Sequence, residues 1–167
     1  GLTGLARIAL RTDVEEARRL CREARDVTEG TGDRLGRSSA LHVLAVAAQM
    51  AGDLDEAREL MSERMELARE LGSYLGISSE ACNLSMVERQ LGNVDRAEEL
   101  ARESLEIARR REDEWMYPYT LSSLAAIAVE RGDHERAATL IGAAESMMEA
   151  QNAAWPPDER PHYEQTV

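Results

Sequence analysis

Phenylalanine and lysine are both missing from this 167-residue chain, and only 4% of its residues are aromatic. Without lysine, lysine chemistry is excluded and a phosphate-binding loop ending in Lys-Ser or Lys-Thr cannot exist. With so few aromatic rings, small aliphatic side chains must do the packing, and Ala and Leu dominate. Proline is scarce too: Pro118, Pro156, Pro157 and Pro161 all fall in the last third, which leaves most of the chain free to form long helices. Apolar runs are short. Leu41 to Ala48 is interrupted by His42, far below what a bilayer span needs, and the N-terminus lacks a basic region followed by an apolar run. The two cysteines, Cys21 and Cys82, have no nearby partner in sequence that would mark a metal knuckle or a disulfide scaffold, so reduced, buried thiols are expected. A cytoplasmic protein is the expectation.

Positive charge is also in short supply. Thirty-two acidic residues face 20 basic ones, for a formal charge of −12. Such a field repels a phosphate backbone, so direct nucleic-acid contact by this segment is not expected. All basic residues are arginine, and with the Ala-rich wording this points to a high-GC bacterial coding sequence.

What the chain does have is a repeat. Asp13-Val-Glu-Glu-Ala-Arg-Arg-Leu20 returns as Asp53-Leu-Asp-Glu-Ala-Arg-Glu-Leu60, as Asn93-Val-Asp-Arg-Ala-Glu-Glu-Leu100 and as Asp133-His-Glu-Arg-Ala-Ala-Thr-Leu140, each 40 residues after the last. Gly52, Gly92 and Gly132 keep the same register, as do Leu44, Leu84 and Leu124, and a further column holds Leu35, Leu75, Trp115 and Trp155.

Each unit reads as two helices, A and B. In the second unit Leu41, Leu44, Ala45 and Ala48 form one helical face, and Ala57, Leu60, Met61, Met65 and Ala68 form another after a turn. Gly52 suits the left-handed end of helix A, and Asp53 the N-cap of helix B, with Glu16 and Glu56 completing capping boxes in two copies. The column Ala17, Ala57, Ala97, Ala137 lets helix B cross close to helix A. The expected architecture is all-α: a right-handed α-solenoid of antiparallel helix pairs. Residues 1–150 form the repeats, the first truncated, and residues 151–167 a loop and partial C-terminal helix that includes His162. Neither end reads as a natural solenoid cap, so a fragment of a longer protein is expected.

A Gly-Asp turn followed by alanine, after a Leu-Ala helix, resembles the tetratricopeptide repeat (TPR). The small residues Ala45, Ser85 and Ala125 in helix A and the Ala57 column in helix B match that family's key small sites. A third site, in helix B, is kept as Ala24 and Ala144 but is Arg64 and Ser104 in the inner copies. The family's usual repeat is about 34 residues, and the six extra residues are placed around Leu71 to Gly76, lengthening the helices and the turn between repeats. A second stretch, Arg136-Ala-Ala-Thr-Leu-Ile-Gly-Ala-Ala-Glu145 with Pro156-Pro-Asp-Glu-Arg160 and Tyr163-Glu164, resembles the end of the repeat region in bacterial signalling ATPases and LuxR-type transcriptional regulators.

Catalytic signals are absent from the pattern. Gly36-Arg-Ser-Ser39 and Gly76-Ile-Ser-Ser79 are one repeat column at a helix start, with no strand before them as a nucleophile elbow requires. His42, His134 and His162 lie on different repeats without zinc-site spacing, so no metal or cofactor is expected. Carboxylates on helix B are read as a solvated face carrying pairs such as Glu98–Arg102 and Glu106–Arg110.

The resemblance to TPR proteins implies that helix A lines an inner, partner-binding face. There stand Ser39, His42, Val46 and Gln49, then Ser79, Asn83, Met86 and Arg89, then Tyr119 and Ser123, with Val43, Cys82 and Ser122 beside them: a wall with few charges. Asn83 falls where family members hold a peptide backbone, but His42, Tyr119 and Ser123 replace the basic residues of a carboxylate clamp, so a C-terminal carboxylate is not the expected ligand. The expected function is a non-catalytic protein-interaction or self-association module of a larger bacterial transcriptional regulator, taking a protein, a peptide or a second copy of itself. The alternative is a domain sensing a small-molecule inducer.

Overall fold

Left-handed backbone residues divide the chain at regular intervals in the computed structural model, which describes residues 1–154. Gly32, Gly52, Gly72, Gly92 and Gly132 have φ of 65° to 83°, and Glu112, at φ 54°, and Asn152, at φ 49°, hold the remaining places in a series spaced by 20 residues. Glycine suits these places because a Cβ crowds the following carbonyl there. Among the described residues there are eight helices: α1 (Leu2–Ala9), α2 (Val14–Thr31), α3 (Arg34–Ala51), α4 (Leu54–Glu70), α5 (Tyr74–Gln90), α6 (Val94–Arg111), α7 (Tyr117–Glu130) and α8 (His134–Ala150). No strand occurs among the described residues.

From α2 on, the repeat is thus two nearly equal halves, each a helix and, outside the α6–α7 link, a connection of two or three residues. Its extra length over a shorter tetratricopeptide unit lies in both helices rather than in an enlarged turn around Leu71 to Gly76, where only Leu71, Gly72 and Ser73 separate α4 from α5. The exception is α7, of 14 residues, whose start is delayed by the turn at Trp115 and Met116 and which carries Pro118 in its first turn.

The tight turns also redirect the caps. Asp13, Asp33 and Asp133 accept from the backbone N–H of Glu16, Gly36 and Arg136 at 3.0, 2.9 and 3.1 Å. Asp53 sits at the start of α4 without making that bond, because its carboxylate accepts from Arg18 Nη1 at 2.5 Å instead. The reciprocal half of the expected capping boxes does not form either. The N–H groups of Asp13 and Asp53 already donate to the carbonyls of Ala9 and Ala48, closing the preceding helix, so Glu16 and Glu56 turn to arginines.

The chain divides into two compact units, Gly1–Glu80 and Ala81–Val167, with the division inside α5. In the first, α2 packs on α1 and α3, and α3 on α4; in the second, α7 packs on α6 and α8. Ala17, Ala57 and Ala97 are fully buried and Ala137 nearly so, as helices crossing on a methyl group require. A Cβ added at Gly36 would lie 2.7 Å from Thr28 Cγ2, and one at Gly76 would lie 2.9 Å from Ala68 Cβ. The helix-start column is therefore small because the preceding helix passes at contact distance. Cys21 and Cys82 are buried and unbridged, and burial pushes the Cys21 thiol up to about 11, against the opposing charge of Arg7. The expected partial helix after residue 154, with Trp155 and His162, lies outside the described residues.

Candidate functional site

In the first unit, Ser39, His42, Val46 and Gln49 are spaced along α3 as one helical face. Ser39 is exposed and its hydroxyl donates to the Leu35 carbonyl at 3.1 Å, while His42, Val46 and Gln49 are half-buried. Ser79, also half-buried, stands near the end of the unit on α5. His42 is fixed from behind: its Nδ1 lies 3.0 Å from Glu80 Oε1. Glu80 is fully buried and also accepts from Arg64 Nη1, whose Nε donates to the Ser38 carbonyl at 3.0 Å. A buried carboxylate needs such partners, because an ion taken out of water without them is strongly destabilising.

In the second unit, Asn83 and Arg89 on α5 and Tyr119 on α7 are half-buried. Arg89 Nη1 donates to Glu130 Oε1 at 2.6 Å, which ties the middle of that surface to the end of α7. The Tyr119 ring lies 5.9 Å from that of Trp115, tilted by 50°. Met86 and Ser123 are buried, at 7% and 6% exposure, so they serve packing rather than an open wall. Ser123 Oγ sits 3.6 Å from Cys82 Sγ, and Val43, Cys82 and Ser122 are buried as well. Neighbouring helices cover more of helix A than column positions alone indicate.

Three features escape a column-by-column reading. The first is the Arg64–Glu80 pair, whose sequence signal is that Arg64 interrupts a column of Ala24, Ser104 and Ala144 while Glu80 stands between Ala40 and Thr120. The second is Glu98, expected on the solvated face but 10% exposed. It accepts from Arg102 at 2.7 Å, from Arg131 at 2.6 Å and from Arg136 at 3.4 Å. The Arg102 hydrogen bond first, and the charge of all three guanidiniums after it, hold its carboxyl below the usual range against the opposing effect of burial. Glu106–Arg110 does form on an exposed face, as the spacing predicts. The third is the column of Leu35, Leu75 and Trp115, exposed at 70%, 60% and 56%.

Among the described residues no group of three or more His, Cys, Asp or Glu side chains could hold a metal ion, and no helix is long and apolar enough to cross a membrane.

Paired antiparallel helices with an alanine column at their crossings and a left-handed residue at every turn after the first define a tetratricopeptide-like repeat fold, the class of the α-solenoids. Profiles described as tetratricopeptide repeat match residues 2–70, 81–111 and 118–149, and the chain belongs with the tetratricopeptide-repeat proteins. Among solved structures, it is similar to a putative kinesin light chain of Podosopora anserina with nearly identical TPR-like repeats, at 18% identity and a TM-score of 0.70, covering 99% of this chain and 83% of that one. A singly substituted form of that protein matches at 17% identity with the same TM-score, over 99% and 82%. BtubC (BKLC) of P. vanneervenii matches at 20% identity with a TM-score of 0.60, over 93% and 81%. At these identities the likeness is one of fold. No curated protein sequence matches significantly.

Proposed function

We infer that the chain is a non-catalytic module that binds a protein or an extended peptide through its helix A faces, as part of a larger bacterial transcriptional regulator of the LuxR type. The carrying observation is the pairing of a tetratricopeptide-type scaffold with the exposure pattern of α3. Ser39, Val46 and Gln49 carry no charge and, with His42, remain at least partly open, whereas α4 presents exposed or half-exposed Asp55, Arg58, Glu63 and Glu66. In the second unit the corresponding residues are Asn83, Arg89 and Tyr119. A partner segment gains hydrogen bonds and apolar contact there without first desolvating many charges. Self-association is the same reading with a second copy as the partner.

The test treats each unit separately. A displayed library of extended peptides is panned against the wild type, against S39A/H42A/Q49A and against N83A/R89A/Y119A, with folding checked by circular dichroism, and the mass of the wild type is followed against concentration. Peptides enriched by the wild type and lost by either variant support the reading. Enrichment equal in all three proteins, or none above background together with a constant mass, rejects it.

Sensing of a small-molecule inducer is the second reading. What favours it is that His42, with 27% of its side chain exposed, links the open face of α3 to buried Glu80, so a ligand touching the ring would be felt inside the fold. A candidate inducer that raises the melting temperature of the wild type but not of H42A would support it.

A further inference from the structure

Two of the apolar columns do not tell one repeat from another, although others, such as Cys21, Met61 and Ala101, differ in size. Leu20, Leu60, Leu100 and Leu140, or Ala17, Ala57, Ala97 and Ala137, are the same residue each time, so these columns would accept hairpins in any order. The polar residues at the junctions differ, and they differ in pairs.

Position 64 and the position 16 residues on hold Arg64 and Glu80, joined as an ion pair with side chains 15% and 0% exposed. The same two columns 40 residues later hold Ser104 and Thr120, fully buried, with their hydroxyl oxygens 3.1 Å apart. Forty residues earlier they hold Ala24 and Ala40, both buried. In these three copies the two columns change together, methyl with methyl, charge with opposite charge, hydroxyl with hydroxyl, whereas the fourth copy in the sequence holds Ala144 and Arg160. A second pair of columns holds opposite charges within each unit, although the copy between them, Arg58 and Arg96, is not matched. Arg18 bonds Glu56 across helices B of the first unit, and in the same columns of the second unit Glu98 accepts from Arg136 at 3.4 Å, with the polarity reversed.

We propose that these matched pairs are an order code: each junction accepts only its own partner helix, so hairpins cannot stack out of sequence or exchange with those of another copy. A helix carrying Arg64 set against one carrying Thr120 or Ala40 leaves a buried guanidinium without a carboxylate. A helix carrying Glu98 set against one carrying Glu56 faces like charge. Each wrong pairing is rejected by a residue that is satisfied only in the right one.

The experiment uses the whole chain and makes junctions alike. R64S/E80T copies the downstream hydroxyl pair into the upstream junction. E98R/R136E gives the second unit the polarity of the first and leaves the number of charges of each sign around Arg102, Arg131 and Asp95 unchanged. Wild type and both variants are unfolded in denaturant and refolded over a range of protein concentrations, and the fraction of chains in dimers or larger species is read by size-exclusion chromatography. The single variants R64S and E80T should each melt lower than the wild type, and the double should recover at least half of that loss. The expected decisive result is that the doubles, though folded, give a dimer fraction at least threefold above the wild type, growing with concentration. If R64S/E80T does not fold, E98R/R136E decides by the same reading. Refolding of every folded double to the same species as the wild type would overturn the proposal and leave the pairs as local packing only.

Discussion

Replacing Ala97 by leucine sets two effects of similar size against each other. Ala97 lies on α6 with no exposed surface, in a cluster with Ala101, Leu124 and Ile127, against which Val94, Leu105 and Leu140 pack. Leucine adds three carbons. If the cluster had room for them, burial at about 0.8 kcal/mol per carbon would make the variant more stable by roughly 2 kcal/mol. The structure argues that it has none: α6 and α7 meet here on alanine, and a side chain that must be forced between them drives its neighbours off rotamer or the axes apart, at about 1–3 kcal/mol. For a chain of this size each kcal/mol moves the melting temperature by about 2–4 °C, so A97L should melt about 2–12 °C below the wild type. The assay is thermal melting by circular dichroism, with A51L as the control, since Ala51 is exposed at the end of α3 and a change there should stay within about 2 °C. An A97L melting temperature equal to or above that of the wild type would refute the claim that the alanine column sets the helix approach.

Two further outcomes follow from the turns and the charges. E112G should raise the melting temperature by about 1–4 °C, because Glu112 holds a left-handed φ of 54° in a series where every other place but Asn152 has glycine; relief of that strain exceeds the added freedom of the unfolded chain by about 0.5–1 kcal/mol, and a fall would contradict the account. For Glu98, the carboxyl is held below its ordinary value in the folded chain, so its contribution is fully present above the unfolded carboxylate pKa, near about 4.3, and is lost as pH falls through the folded value. E98Q should therefore be less stable than the wild type at pH 7, by about 1.5–3 kcal/mol, with the gap closing below about pH 4. A gap that stayed constant in urea titrations from pH 7 to pH 3 would show that the carboxylate charge is not what the arginines hold.

The repeat was legible because equal spacing needs no knowledge of packing. Gly52, Gly92 and Gly132 announce the turn within the hairpin, and α2, α4, α6 and α8 begin where the Asp and Asn column leads one to expect. Glu112 in the turn series could not be seen the same way, since nothing in a glutamate's chemistry favours a positive φ; only its place 40 residues after Gly72 does. The N-cap at Asp53 failed for a different reason. Arg18 lies 35 residues away in sequence, and a side chain that can cap or pair is claimed by whichever partner the fold brings nearer. The same limit hid Arg64–Glu80, where two apparent lapses from the small-residue pattern turn out to answer each other across a junction. Met86 and Ser123 show the converse, residues with the right register for an open face that the adjoining helices close over.

The two- and three-residue connections between helices restrict how such a chain can change in length. One codon gained or lost within a helix turns everything beyond it by about 100° about the helix axis, and the apolar stripe then faces water. With only Gly52 and Asp53 between α3 and α4, there is no slack in which that rotation could be absorbed. A whole hairpin gained or lost would keep the stripe in register, whereas a single-residue insertion or deletion within a helix would not. The unbroken register from Asp13 to Asp133 accords with that restriction.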